Sequence, residues 1–357
     1  MTSTYPDHLV ASPGEVLEDW LNEKGMSQRE LADRTSKSEK FVSQLINGKA
    51  SLTADTAHDL ELVTGVSAAT WLRMEGSYQA AKRRQQAIAA ATYPLSPIEK
   101  TVTAFLRKIR IINAPARAVG EQRLELFALL GVNSTEGLKR LSARRAAAFR
   151  VSTAYVPEPL ATEVLIALAY REAELINVDA FDLNALRELL PELRAYTQLS
   201  PSEGAKRARA RLAHAGVASV FLPNVPKAHC NGVTLWNANG PVVAITDRGR
   251  REDIFWFTLF HELAHVLDGH RGDIFLEGPG GDKTVAEQQA DAFAAECLIP
   301  RDQEHLLDEI VSFGDLERVA DTLGVGEGVV IGQLHHRGLK APSWGQARLK
   351  RVCVQGG

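Results

Sequence analysis

The sequence predicts a mainly α-helical protein with a small β-sheet, an α+β fold. Helical segments with clear start and stop signals follow one another from the N-terminus. Near residue 217 the apolar pattern changes to short β-like runs, and a helical pattern resumes near residue 253. The chain has 357 residues, of which 45% are hydrophobic, enough for two or three domains with ample cores.

Five short helices are predicted in the first ninety or so residues. The second and third open at Ser27 and Ser38 and are joined by a very short turn, which is the helix-turn-helix spacing. Ser27 with Glu30 three residues later has the pattern of a capping box. The fifth helix is expected to run towards Arg84. Residues 83–100, rich in Ala and Gln before a Pro-containing break, are interpreted as a connector.

The rest of the chain divides by pattern into a helical middle, a mixed region and a short tail. The predicted domains are 1–90, 91–215, 216–345 and 346–357. Helices of the middle region are expected near 97–112, 119–130, 134–149, 159–176, 182–198 and 202–214. A small antiparallel or mixed sheet is expected from the runs Val217–Leu222, Gly232–Trp236 and Val242–Thr246.

Charge and cysteine content exclude several classes of protein. The formal net charge of −3 excludes a globally basic nucleic-acid binder, so DNA contacts would need a local patch. Three widely spaced cysteines give neither a disulfide framework nor a CxxC zinc site. The N-terminus has no secretory pattern, and no apolar run approaches the roughly 20 residues of a membrane span. We expect a soluble cytoplasmic protein with no membrane partner.

The strongest chemical signal is the HExxH motif formed by His261, Glu262 and His265. On a helix, side chains four residues apart share a face, so both imidazoles can reach one metal ion. Neutral imidazole is a good zinc ligand, and a neighbouring carboxylate can take a proton from water that zinc activates. We therefore predict one Zn2+ per chain, with Glu262 as the general base.

A catalytic zinc site needs a third protein ligand and one open position. The metzincin spacing fails, because Asp268 and Arg271 occupy the positions of its Gly and third His, and His270 has the wrong spacing. Glu287 and Asp291 lie four apart on a later helical segment, as in the ExxxD pair of the gluzincin arrangement. We predict that Glu287 is the ligand and that Asp291 hydrogen-bonds the outer nitrogen of a ligand His. The alternative is that both are surface charges on an amphipathic helix.

Two further histidines, His335 and His336, precede Gly338 near a predicted helix end. One interpretation is favourable positive charge at a helix C-terminus. The other is that one of them stabilises the oxyanion of a tetrahedral intermediate. The sequence favours the first and leaves the second open.

Polar residues of the helix-turn-helix are candidates for DNA contact. Short polar and amide side chains on the second of its helices suit base edges, and nearby side chains could touch phosphates. The candidates are Gln28, Lys37, Ser38, Lys40, Ser43, Gln44, Asn47 and Lys49. The alternative is a structural helical hairpin with a solvated face, since Asp33 and Glu39 lie nearby.

Specific residues resemble two known families. The N-terminal part resembles the XRE-type helix-turn-helix of HigA antitoxins at Pro13-Gly14-Glu15, Met26–Ala32, Ile46–Lys49 and Trp71-Leu72. The C-terminal part resembles the ImmA/IrrE metallopeptidases at Phe257–Leu259, His261–His265, Glu287, Ala290, Phe293-Ala294 and Leu298–Pro300. The second resemblance implies a zincin-like domain with His261, His265 and Glu287 as zinc ligands and Glu262 as base.

The combined expectation is a DNA-binding transcriptional regulator with a zinc-dependent endopeptidase domain. Its partners would be operator DNA and a protein substrate: a repressor, a toxin or antitoxin partner, or the chain itself. Helix-turn-helix proteins commonly pair to read two half-sites, so a homodimer is compatible with this reading. The alternative is a non-proteolytic, antitoxin-like repressor whose metal site is structural or sensory.

Overall fold

The computed structural model describes residues 11–146, 158–248, 250–269, 275–276 and 284–352. Within these ranges the chain forms fifteen α-helices and one small sheet, so the α+β prediction is confirmed. None of the described helices is long and apolar enough to cross a membrane. His270 lies outside the described residues.

The helices and strands are numbered in chain order. The helices are α1 (Pro13–Lys24), α2 (Gln28–Arg34), α3 (Glu39–Ile46), α4 (Ala54–Thr64), α5 (Ala68–Ala91), α6 (Pro97–Lys108), α7 (Val119–Leu130), α8 (Thr135–Ala146), α9 (Pro159–Ala173), α10 (Leu183–Ala195), α11 (Pro201–His214), α12 (Glu252–Leu267), α13 (Val285–Leu298), α14 (Phe313–Leu323) and α15 (Glu327–His336). The strands are β1 (Ala218–Leu222), β2 (Gly232–Asn237), β3 (Gly240–Thr246) and β4 (Phe275–Leu276).

The chain divides into two compact units. The first contains the described residues up to Pro94 together with Ala114–Leu124, and the second contains the remainder. Apolar faces of α1 to α5 form the core of the first unit, where Leu17 and Trp71 are fully buried. Burial of such large side chains gives this small helical unit its own source of stability.

The fifth helix of the first unit is longer than predicted. Helix α5 continues to Ala91, seven residues beyond the expected Arg84, so the connector shrinks to the residues before Pro97. Ala and Gln are good helix formers, and they extend the helix until the Tyr93-Pro94 break. The break is held by Arg123, which is fully buried and donates to the carbonyl oxygens of Ala91 and Tyr93.

The capping box expected at Ser27 is only half formed. The Ser27 hydroxyl accepts a hydrogen bond from the backbone N–H of Glu30 at 3.1 Å. The Glu30 carboxylate does not return to the Ser27 backbone, because it forms an i,i+4 ion pair with Arg34 at 2.6 Å. A complete box lies one helix earlier, between Ser12 and Glu15.

The sheet of the second unit is mixed, which selects one of the two predicted alternatives. Its strand order is β1-β3-β2-β4. Strand β1 runs parallel to β3, β2 is antiparallel to β3, and the two-residue β4 pairs antiparallel with β2. Strand β4 was not predicted, because two residues are too few to show an alternating pattern.

Helix α12 is the central helix of the second unit. It packs against β2, β3, α13 and α15, and nearly all of its side chains are buried. Its apolar residues, including Trp256, Leu259 and Phe260, are inaccessible to solvent. A helix enclosed on all sides holds its polar residues inside the fold as well, and these include the HExxH motif.

Candidate metal centre

The two histidines of the motif project from successive turns of α12 towards one point. Both side chains are fully buried, and their Nε2 atoms lie 3.3 Å apart. The rings stand nearly perpendicular, with centroids 5.0 Å apart. Two imidazole nitrogens this close can bind one metal ion between them.

Helix α13 brings the third donor. Thr284 caps this helix, and its hydroxyl accepts a hydrogen bond from the backbone N–H of Glu287. The Glu287 carboxylate then lies 3.1 Å from His261 Nε2 and 3.4 Å from His265 Nε2. The three side chains form the metal-competent cluster of the described residues, with one ligand atom from each within 4.8 Å of the others.

The distances within this cluster fit a tetrahedral zinc ion. Zinc–ligand bonds of about 2.0–2.1 Å at tetrahedral angles separate neighbouring ligand atoms by about 3.3 Å. The observed separations of 3.1, 3.3 and 3.4 Å match that value. Two imidazoles and one carboxylate are also a donor set that zinc enzymes use while keeping the fourth position open.

The electrostatics of the cluster keep the carboxylate ionised. Burial alone would raise the pKa of Glu287, but hydrogen bonds and charge interactions with His261 and His265 outweigh burial and lower the pKa to about 2. An ionised carboxylate facing two imidazoles is the form in which these groups bind a cation.

Asp291 lies one turn after Glu287 on α13 and contacts the other side of His261. Its Oδ1 atom is 3.0 Å from His261 Nδ1. Because a carboxylate oxygen accepts, Nδ1–H donates to Asp291, and Nε2 is the ring nitrogen that faces the cluster. This contact fixes the orientation of the His261 ring in the structure.

Glu262 is fully buried beside the cluster and is held by the sheet. The Thr234 hydroxyl on β2 donates to Glu262 Oε2 at 2.6 Å. Gly232, also on β2, allows the strand to approach, since a Cβ there would lie 2.5 Å from Glu262 Oε1. The sequence singled out neither Thr234 nor Gly232, because nothing in a strand 28 residues away marks its contact with the helix.

His335 and His336 differ in their surroundings. His335 Nε2–H donates to the carbonyl oxygen of Trp344 at 2.8 Å, which uses its ring for structure. His336 is exposed, and its ring centroid is 6.3 Å from that of Phe257, which in turn is 6.4 Å from His261. His336 also lines a cavity of about 200 Å³ along α12, together with Asn231 and Gln333.

The candidate DNA contacts lie in the first unit on α2, α3 and the adjoining turns. Exposed side chains are Ser38, Lys40, Asn47 and Lys49, and half-buried ones are Gln28, Lys37, Ser43 and Gln44. Four of the eight side chains are engaged within the protein. The Ser38 hydroxyl accepts a hydrogen bond from the N–H of Phe41 at 3.1 Å, and Ser43 Oγ accepts one from Asn47 Nδ2 at 3.4 Å. Lys37 forms an ion pair with Asp59 at 3.0 Å, and Asn47 Nδ2 donates to the Ser43 carbonyl at 2.7 Å.

Comparison with known families gives matches to both parts of the chain. Residues 17–71 match the model described as Helix-turn-helix. Over 91 residues the chain is 31% identical to the "Uncharacterized HTH-type transcriptional regulator YddM" of Escherichia coli strain K12, covering 26% of this chain and 90% of that protein. The chain belongs to the helix-turn-helix transcriptional regulators.

The C-terminal part of this regulator matches a second family. Residues 218–335 match the Peptidase_M78 model, described as the IrrE N-terminal-like domain. This match confirms the resemblance to the IrrE family, and it spans the HExxH helix and Glu287.

A solved structure also matches the N-terminal part. It is an addiction module antidote protein of the HigA family from Coxiella burnetii, with 29% sequence identity over 24% of this chain and 98% of that chain. The TM-score is 0.21, which is too low to support a common fold.

Proposed function

We propose that this regulator is a zinc-dependent endopeptidase that cleaves a protein partner. The partner would be a repressor, a toxin or antitoxin, or the chain itself. Residues 1–90 would form the DNA-binding domain, 91–215 a helical link, 216–345 the peptidase domain and 346–357 a tail. One observation carries the proposal: a buried His-His-Glu cluster of zinc-like spacing has a second carboxylate, Glu262, beside it.

Each residue of the cluster has a separate role in this proposal. His261, His265 and Glu287 would hold the metal, and Asp291 would keep the His261 ring in its ligating tautomer. Zinc in such a site acts as a Lewis acid towards water and a peptide carbonyl. Glu262 would accept the proton that water loses and return it to the leaving amine.

Thr234 has the role of positioning that base. Its short hydrogen bond to Oε2 would hold the Glu262 carboxylate in one orientation beside the cluster. A base fixed by a neighbouring hydrogen bond loses less entropy when it reacts. The close approach of Gly232 limits the room around the same carboxylate, which keeps it from swinging away.

The cavity along α12 supports a protein substrate. Phe257 and Thr258 lie four and three residues before His261, so they line the same face of the helix one turn from the cluster. Asn231 and Gln333 add uncharged polar groups to the lining. Asp253 also lines the cavity, and we propose that the cavity accepts one side chain of a peptide next to the bond to be cut. Of the two histidines at the end of α15, His336 is the one that lines this cavity, and we propose that it would stabilise developing negative charge.

The DNA-binding half of the proposal depends on α3. We propose that Lys40, Ser43 and Gln44 reach base edges in the major groove and that Lys49 contacts a phosphate. Two copies of the chain would read the two halves of an operator. The ion pair with Asp59 reduces the expected contribution of Lys37.

A second candidate is a repressor in which the metal site is structural or sensory. The observation in its favour is that the Escherichia coli relative aligns with the N-terminal part alone, so a regulator of this class exists without the second domain. This candidate predicts operator binding, with or without zinc dependence, and no proteolysis.

The test is incubation of the zinc-loaded chain with the repressors and toxins encoded beside its gene, followed by mass spectrometry. We expect one new pair of peptides from one partner, absent when zinc is removed. An operator shift assay runs in parallel. Operator binding without cleavage of any partner would favour the second candidate.

A further inference from the structure

A second cluster of charged groups lies at the start of α12, apart from the metal centre. Four arginines converge there: Arg248, Arg250 and Arg251 from the segment before α12, and Arg351 from the end of the described chain. Together with Gln346 and Leu349 they line a cavity of about 400 Å³. We call this the arginine cavity.

Backbone hydrogen bonds hold the two arginine-bearing segments side by side. Arg251 and Arg351 form an antiparallel β-bridge. The N–H of Glu252 donates to the carbonyl of Lys350 at 3.1 Å, and the N–H of Val352 donates to the carbonyl of Arg250 at 3.2 Å. The fold therefore fixes the backbone positions from which these arginine side chains extend.

Internal partners account for only part of the positive charge. Arg251 makes a two-pronged ion pair with Asp253, with contacts of 3.0 and 2.5 Å. Arg250 lies 3.4 Å from Asp247 and is 64% exposed. Arg248 donates to the carbonyl oxygen of His229, and Arg351 has no carboxylate partner among the described residues.

Among the described residues, Arg248 and Arg351 thus have no carboxylate partner, and no acidic residue lines the cavity. Repulsion between like charges at short range raises the free energy of the folded state unless an anion binds between them. The pKa of the nearby His229 ring is lowered, first by burial and then by the positive charges of Arg248 and Lys227. A chain with a net charge of −3 has no general excess of cations to explain the cluster.

We propose that the arginine cavity binds a small anion with two or more phosphate groups. Guanidinium groups bind phosphate oxygens in a two-pronged fashion, and several converging forks favour an anion with several oxygens. The volume lies in the range of small-ligand pockets, about 300–1,000 Å³. A concave site of this size favours a compact diphosphate over the convex backbone of duplex DNA. The bound anion would contact the first turn of α12, the helix that carries the metal cluster.

The experiment is calorimetric titration of the full-length chain with inorganic pyrophosphate, with the zinc content measured before and after. We expect one binding site and unchanged zinc. In Arg351→Ala, binding should weaken about tenfold or more, because one charge-assisted contact is lost. Arg250→Ala changes a largely exposed side chain and should give a similar loss of pyrophosphate affinity. It replaces Arg351→Ala in the test if that variant does not fold.

Arg207→Ala is the matched control, since this exposed arginine pairs with Glu203 on α11 and lies outside the cavity. It should bind pyrophosphate like the wild type. Absence of binding by the folded wild type would overturn the proposal, as would equal losses in all three variants. The proposal also fails if Arg351→Ala weakens binding of random-sequence duplex DNA but leaves binding of pyrophosphate unchanged. None of these outcomes depends on proteolysis.

Discussion

The helix-turn-helix surface and the HExxH cluster arrange polar groups in opposite ways. On α3 the side chains proposed to meet DNA are exposed or half-buried, and Lys40 and Lys49 extend into solvent. In the cluster, His261, His265 and Glu262 are fully buried and fixed by other polar groups. The side chains of the first surface face solvent, whereas those of the second are held by contacts within the protein.

This difference has an energetic meaning. Burying histidines and carboxylates costs several kcal/mol unless partners or a metal compensate. An apolar core at the same place would be at least as stable. The core of the first unit, which includes Leu17 and Trp71, is apolar in this way. The buried cluster is therefore explained by chemistry and not by stability. The predictions below sharpen the contrast, starting with the largest expected effect.

Glu262→Gln should reduce cleavage of the partner protein on the order of 10³-fold, the usual contribution of a general base. The amide keeps the volume and the Thr234 contact, so the zinc content should equal that of the wild type. Initial cleavage rates and metal analysis of the same preparation provide the measurement. Undiminished cleavage would remove Glu262 from the mechanism.

His261→Ala should lower zinc affinity more than 100-fold, since the loss of a ligand exceeds the 10–100-fold effect of losing its hydrogen-bond partner. Competition with a chromophoric chelator measures the affinity. Added zinc should raise the melting temperature of the wild type and leave the melting temperature of this variant unchanged. Operator affinity serves as the control and should not change, because α3 has its own core.

Asp291→Asn tests the orientation of the ring. The neutral Asn amide lacks the negative charge with which Asp291 stabilises the Nδ1–H tautomer of His261. Zinc affinity should therefore fall about 10–100-fold. Cleavage at saturating zinc should recover most of its wild-type rate. Asp302→Asn, in the turn after α13, is a matched control and should behave like the wild type.

Gln44→Ala should weaken operator binding about tenfold, the cost of one amide contact to a base edge. Fluorescence anisotropy with a labelled operator measures it. Zinc content and cleavage should be unchanged. Lys24→Ala, at the end of α1, is the control, and a loss there equal to that in Gln44→Ala would argue against α3 as the reading helix.

Local signals in the sequence account for most of the fold. Capping residues such as Thr53 and stop residues such as Gly65 mark real helix ends, since each acts through its own turn. Prediction was least accurate where local preference and chain breaks compete, as at the end of α5. The reciprocal capping bond of Glu30 was lost because Arg34 offers a stronger partner on the same helix.

For the site, what could be predicted follows from spacing along helices. The i,i+4 rule places His261 with His265, and Glu287 with Asp291, on shared faces. Contacts between distant segments have no such rule. Neither the Thr234 bond to Glu262 nor the approach of Arg351 to Arg251 is visible without the fold.

The most direct test of the central claim is metal analysis of the purified chain, combined with X-ray absorption at the zinc edge. The account predicts one zinc per chain, bound by two imidazole nitrogens and a carboxylate oxygen, with binding lost in His261→Ala and in Glu287→Ala. A chain that binds no zinc, or binds it equally well without these residues, would contradict the account.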